Sequence, residues 1–117
     1  MTKAVTLKSN SDFHRLYARG KAYTNPALVI YVMKNRAGIC RIGITTSKKI
    51  GNAVERNRSR RLIRAAFRSV EGKIDGGWDI VFVARGRTKY VKSTVLGQIM
   101  EKNLMSAGVI KDVTDIC

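Results

Sequence analysis

Between residues 10 and 18 the apolar side chains fall at Phe13, Leu16 and Tyr17, the i, i+3, i+4 spacing of one helix face. Ser9 and Asp12 stand three apart at its start like a capping box, and Gly20 follows, so a short amphipathic helix is predicted. A brief extended piece near 21–24 leads into ALVIYVMK (27–34), which is β-branched and aromatic and too short for a helix. As a strand it places Val29 and Tyr31 on one face and Leu28, Ile30 and Val32 on the other. After the turn residues Arg36, Ala37 and Gly38, ICRIGITT (39–46) alternates Cys40, Ile42 and Ile44 with Arg41, Gly43 and Thr45. That alternation predicts a half-buried strand forming an antiparallel hairpin with 27–34.

The segment NAVERNRSRRLIRAAFRSV (52–70) has Asn52 as N-cap, Glu55 at the third helical position and Gly72 beyond its end. It is the strongest helix signal in the chain. Gly76 and Gly77 precede WDIVFVAR (78–85), whose apolar run from Ile80 to Ala84 suits a central strand covered on both faces. Ser93 is placed to cap a last helix reaching about residue 107, with Val95, Leu96, Ile99, Met100 and Leu104 as its buried stripe and Gly108 ending it. The order α-β-β-β-α-β-α makes this an α/β (α+β) chain, expected to form one domain over 1–117 with its core at about 5–107.

Composition turns this fold toward a function. Against 8 Asp and Glu the chain carries 23 Lys and Arg, a formal charge of +15, and a folded chain so charged attracts polyanions. It has no apolar run of membrane-spanning length and no hydrophobic anchor beside its basic residues, so a membrane partner is not expected. The amino terminus lacks a continuous apolar stretch with a small-residue cleavage site and reads as mature cytoplasmic sequence. In that compartment Cys40 and Cys117 are expected to be unpaired thiols.

Residues for autonomous catalysis are scarce. His14 is the single histidine and sits on the first predicted helix, where a partly exposed polar role suits it; no His and Cys spacing resembles a zinc site. The carboxylates are scattered over separate elements, so neither a catalytic pair nor a two-metal centre is expected.

The charge centre lies between residues 48 and 68, where Lys48, Lys49, Arg56, Arg58, Arg60, Arg61, Arg64 and Arg68 face the single acid Glu55. On a helix, Asn57, Arg60, Arg61, Arg64 and Arg68 share one side, with Leu62, Ile63, Ala66, Phe67 and Val70 on the other. Solvated faces normally mix charge signs, and like charges at i, i+4 repel, so this acid-free stripe predicts a polyanionic partner. Arginine forks pair with phosphates, and Asn57 can donate to and accept from a base edge or a 2′-hydroxyl. Ahead of the helix Gly51 allows a sharp turn, and Lys48 and Lys49 flank a helix N-terminus able to hold a phosphate. A ribosomal protein or RNA chaperone would show the same charge, size and arginine helix. A DNA-reading helix would need a zipper or helix-turn-helix partner, which the pattern lacks.

The stretch GITTSKKIGNAVERNRSRRLIRAAFR (43–68) closely resembles the signature of the bacterial ribonuclease P protein, with Arg56, Asn57 and Arg58 as its Arg-Asn-Arg element. SDFHRLYARGK (11–21) fits the same family, so the resemblance covers roughly residues 5–107. It implies a two-layer sandwich in which the basic helix joins two parallel neighbouring strands by a left-handed crossover. It further implies two partners, the catalytic RNA subunit lying against that helix and precursor tRNA, whose single-stranded 5′ leader enters a cleft between the first helix and the sheet. Magnesium-dependent hydrolysis then belongs to the RNA. On the residues alone Phe13 and Tyr31 read as core; the resemblance instead assigns Phe13, Tyr17, Val29 and Tyr31 to the leader cleft. Tyr17 stands where the family often has Phe, and Glu55 adds an acid beside Arg-Asn-Arg, best explained as a helix cap.

Overall fold

The structure, a computed structural model, describes residues 4–110. In chain order it has β1 (Val5–Thr6), α1 (Asn10–Arg19), β2 (Lys21–Asn25), β3 (Leu28–Lys34), β4 (Cys40–Thr45), a 3₁₀ turn at Lys48–Ile50, α2 (Ala53–Glu71), β5 (Trp78–Ala84), a 3₁₀ turn at Thr88–Tyr90 and α3 (Ser93–Ser106). Every predicted element is present. The added strand β1 has two exposed residues, too few for any periodicity to show.

The five strands form one sheet in the order β1-β4-β5-β3-β2, with β1, β4 and β5 parallel and β3 antiparallel to both β5 and β2. The hairpin expected between 27–34 and 39–46 is therefore not formed. β5 lies between them, because a strand buried on both faces stabilises the sheet most at its centre, and α2 carries the chain from β4 to this parallel neighbour. The short, exposed β1 and the largely polar β2 take the edges.

Strand alternation divides the apolar residues between two faces. Leu28, Ile30, Val32, Ile80 and Phe82 meet Ile63, Ala66, Phe67 and Val70 of α2 and Leu96, Met100 and Leu104 of α3. Each such side chain contributes about 1.5–3 kcal/mol relative to exposure, so this sheet-and-helix sandwich holds the fold. On the opposite face Leu16 of α1 and Leu7 are buried against Val81, with Phe13, Tyr31, Met33 and Val83 only partly covered. One short helix cannot cover five strands, and the uncovered apolar surface beside it belongs to the site.

The helix ends depart from expectation at two points. Ser9 caps α1 by accepting from the Ser11 N–H at 3.2 Å, while Asp12 pairs with Arg15 and Arg41 in place of closing a capping box. Ser93 is the first residue of α3 and not its cap; Lys92 holds that position without a side-chain bond. Val95 is exposed and Ile99 only partly buried, because the stripe of α3 narrows to Leu96, Met100 and Leu104 where α2 packs against it.

Candidate nucleic-acid interface

The 19-residue helix α2 is set by its ends. The Asn52 side chain accepts from the Glu55 N–H at 2.9 Å and the Glu55 carboxylate accepts from the Asn52 N–H at 3.1 Å, a complete capping box. Gly51, at φ 145°, turns the chain into it. A Cβ there would meet Glu55, so a larger residue would be strained in backbone and in space. The helix N-terminus expected to hold a phosphate is thus occupied by the chain's own carboxylate. Lys89, unremarkable in the sequence, donates to that carboxylate at 2.6 Å and to the Ile50 carbonyl at 3.0 Å. This ammonium, followed by the Asn52 N–H, holds the Glu55 carboxyl below its ordinary range, and the carboxylate raises Lys89 in turn.

Amphipathic spacing turns Ile63, Ala66, Phe67 and Val70 inward, which leaves Asn57, Arg61, Arg64 and Arg68 exposed on the far side of α2. Arg60 leans across that face, donating to Thr46 Oγ1 at 2.7 Å and Asn57 Oδ1 at 3.2 Å. Val54, Asn57, Arg60, Arg61 and Arg64 line a groove of about 490 Å³. Among the described residues none of Arg58, Arg60, Arg61, Arg64 or Arg68 makes a salt bridge, so their charge is available to a partner. Two predicted site residues stand apart from this face. Arg56 donates to the Gly51 carbonyl at 2.9 Å, while Arg58 is exposed and borders a hollow with Lys89. Lys48 and Lys49 are exposed on the preceding 3₁₀ turn.

Across the sheet, α1 and β3 bring the predicted cleft residues together. Tyr17 sets its ring edge-on to Tyr31 at 5.0 Å and lies 6.5 Å from Phe13, while its hydroxyl shares a 2.8 Å hydrogen bond with Thr45 Oγ1. The extra hydroxyl of Tyr17 is therefore anchored to β4. Phe13 lies directly over Gly43, where a Cβ would stand 2.5 Å from the ring. Val29 shares the sheet face of Tyr31 but lies outside the packed cluster. The result is a partly open aromatic surface in which the Tyr17 ring lies between those of Phe13 and Tyr31 as the neighbour of each.

On the other side of α1 an ion cluster fixes the helix to the sheet. Asp79, 2% exposed, accepts both Arg41 Nε at 2.8 Å and Nη2 at 2.7 Å, and Asn35 Nδ2 at 2.7 Å. The hydrogen bond to Asp79 is the main cause of the raised Arg41 pKa. Arg15 and Asp12 extend the network from α1. The only signal for it in the sequence is an acid at the start of an otherwise apolar strand.

Among the described residues no three His, Cys, Asp or Glu side chains converge as metal ligands. His14 is exposed on α1. Cys40 is a buried thiol, pushed up to about 12 chiefly by burial and then by Glu71 and Asp79, and Cys117 lies outside the described residues. No described helix is long and apolar enough to cross a membrane.

Known proteins share this sequence and fold. The family model described as Ribonuclease P matches residues 1–108. The ribonuclease P protein component of Clostridioides difficile (strain 630) is 50% identical over 84 residues, covering 71% of this chain and 74% of that protein. That of Thermoanaerobacter sp. (strain X514) is 41% identical over 103 residues, covering 88% and 89%. The Staphylococcus aureus RNase P protein superposes with a TM-score of 0.78 at 35% identity, covering 93% of this chain and 100% of that one. The Thermotoga maritima RNase P protein gives 0.73 at 29% identity, over 85% and 94%. With the family model spanning all three helices and the whole sheet, this chain belongs to the ribonuclease P protein family.

Proposed function

We propose that this chain is the RNA-binding protein subunit of ribonuclease P and assists a cytoplasmic catalytic RNA in endonucleolytic removal of the 5′ leader from precursor tRNA. The observation that carries this reading is the acid-free arginine face of α2, which has no protein counter-charge among the described residues. Arg60, Arg61, Arg64 and Arg68 bind phosphates of the RNA subunit and Asn57 a base edge or 2′-hydroxyl, with Lys48, Lys49 and Arg58 at the margins. Arg56, bonded through Nη1 to the Gly51 carbonyl, supports the turn that leads into α2 and offers its remaining donors to the RNA.

The leader lies on the aromatic face of the sheet, where Phe13, Tyr17 and Tyr31 offer base-stacking surface and Val29 extends the apolar floor. Stacking is worth roughly 1–3 kcal/mol per base and accepts any base, which suits leaders of varied sequence. Magnesium, which in this reading activates water for hydrolysis, belongs to the RNA. Among the described residues Asp12, Asp79 and Glu55 are already committed to arginine, lysine or backbone donors.

The test is the affinity of precursor and mature tRNA for the RNA subunit, with and without this chain. Tighter binding of the precursor alone is expected when the protein is added. Equal tightening of both would point to a general RNA chaperone or a ribosomal protein.

A further inference from the structure

Neither surface above uses Tyr90, which stands where the 3₁₀ turn Thr88–Tyr90 meets α2. Tyr90 there is 77% exposed, although an aromatic ring left in water forfeits the burial it could gain. Its backbone is nonetheless fixed. Thr88, fully buried, donates to the Ala27 carbonyl and accepts from the Arg85 N–H, which ties the turn to the sheet. Lys89, held by Glu55 and Ile50, sets its ammonium 5.3 Å from the Tyr90 ring centroid and supports the ring by a cation–π contact.

The ring forms one wall of a concavity of about 500 Å³ with an apolar floor of Leu62 and Val91 and a cationic rim of Arg58, Arg61 and Lys92. Two chemistries meet in this space. An inorganic anion would use the rim and leave ring and floor idle; an apolar molecule would use ring and floor and leave three cations unmatched. A duplex hides the faces of its bases. An unpaired nucleotide presents a planar aromatic face and a phosphate within one residue, and it satisfies both. Arg61 also lines the groove on the arginine face, so a strand whose phosphates follow α2 reaches Tyr90 without leaving the protein surface.

We infer that Tyr90 and the pocket beside it form a stacking site for one unpaired RNA nucleotide, its base on the Tyr90 ring and its phosphate on Arg58, Arg61 and Lys92. This rests on the RNA-binding reading above and is separate from the aromatic face under α1.

The full-length protein is assayed for binding to the ribonuclease P RNA of the same genome, first alone and then with precursor tRNA present, as wild type, Tyr90→Ala and Tyr90→Phe. Stacking energies predict that Tyr90→Ala weakens binding roughly tenfold, while Tyr90→Phe stays within about twofold. A loss in the binary complex assigns the nucleotide to the RNA subunit; a loss only with precursor present assigns it to the tRNA. Tyr90→Ala binding like wild type in both, or Tyr90→Phe failing as badly as Tyr90→Ala, overturns the site. If Tyr90→Ala lowers the melting temperature, ultraviolet cross-linking of the wild-type complex decides: an RNA adduct mapped to Tyr90 upholds the stack and its absence refutes it. A wild type that binds no RNA would instead refute the underlying reading.

Discussion

Single residues decide how the face under α1 is built. Gly43 occupies a strand position whose side chain would point at α1, and Phe13 fills the space a Cβ would take. The variant Gly43→Ala puts that atom 2.5 Å from the tip of the Phe13 ring, with Leu7 Cβ next at 3.6 Å. Overpacking of this kind costs about 1–3 kcal/mol, here toward the low end because the ring of partly exposed Phe13 can swing away, and it should displace Phe13 from the Tyr17–Tyr31 pair. Chemical denaturation is expected to show that loss, with weakened binding of precursor tRNA beside it. A variant as stable as wild type would mean that Phe13 is not held over Gly43. Helical spacing made Phe13 and Tyr17 legible as neighbours in the sequence. The matching gap at Gly43 was not legible, because in the alternation of 39–46 it reads only as one more position opposite Ile42 and Ile44. Asp79 is similar: its burial depends on Arg41 and Asn35, 38 and 44 residues away, and no local pattern encodes that meeting.

At the scale of elements, α2 is where sequence and structure agree most closely. Its cap, its buried stripe and its arginine face all arise from contacts within about four residues, the range over which periodicity carries information. What lay beyond that range was missed. Lys89 reaches Glu55 across 34 residues, and β4 took β5 as its neighbour where the shorter loop to β3 suggested a hairpin. Alternation says which face of a strand is buried and not which strand lies beside it. The division of α2 into two sides makes a sharp prediction for Arg60→Ala with Arg64→Ala. Both side chains lie outside the core, and only Arg60 bonds beyond the helix, to Thr46 just after β4. The double variant should keep its helical circular dichroism and lose no more than about 1 kcal/mol of stability, while its affinity for the RNA subunit falls at least tenfold. Unfolding of the variant would place these arginines in the core.

For the whole molecule the decisive fact is that α2 and α1 pack on opposite faces of one sheet, so that the arginine face and the aromatic face meet only at its edge, where Arg60 and Arg64 border the same hollow as Phe13 and Gly43. They also differ in physics. Binding at α2 exchanges arginines for condensed counterions, whereas the partly buried residues packed around the aromatic cluster, Phe13, Tyr31, Met33 and Val83, carry no charge. A net charge of +15 gives the chain a strong attraction to any RNA, so affinity at one salt concentration says little about which face is engaged. Salt separates them. Neutralising about four phosphates at Arg60, Arg61, Arg64 and Arg68 should lower affinity for the RNA subunit roughly fifty-fold to 150-fold between about 50 and 200 mM salt. Preference for precursor over mature tRNA, supplied by stacking on uncharged rings, releases few ions and should change by no more than about threefold over the same range. Measuring both affinities in one salt series tests the division of labour directly. A preference that collapses together with overall affinity would show that the leader is held by charge, and the aromatic face would then be part of the core alone.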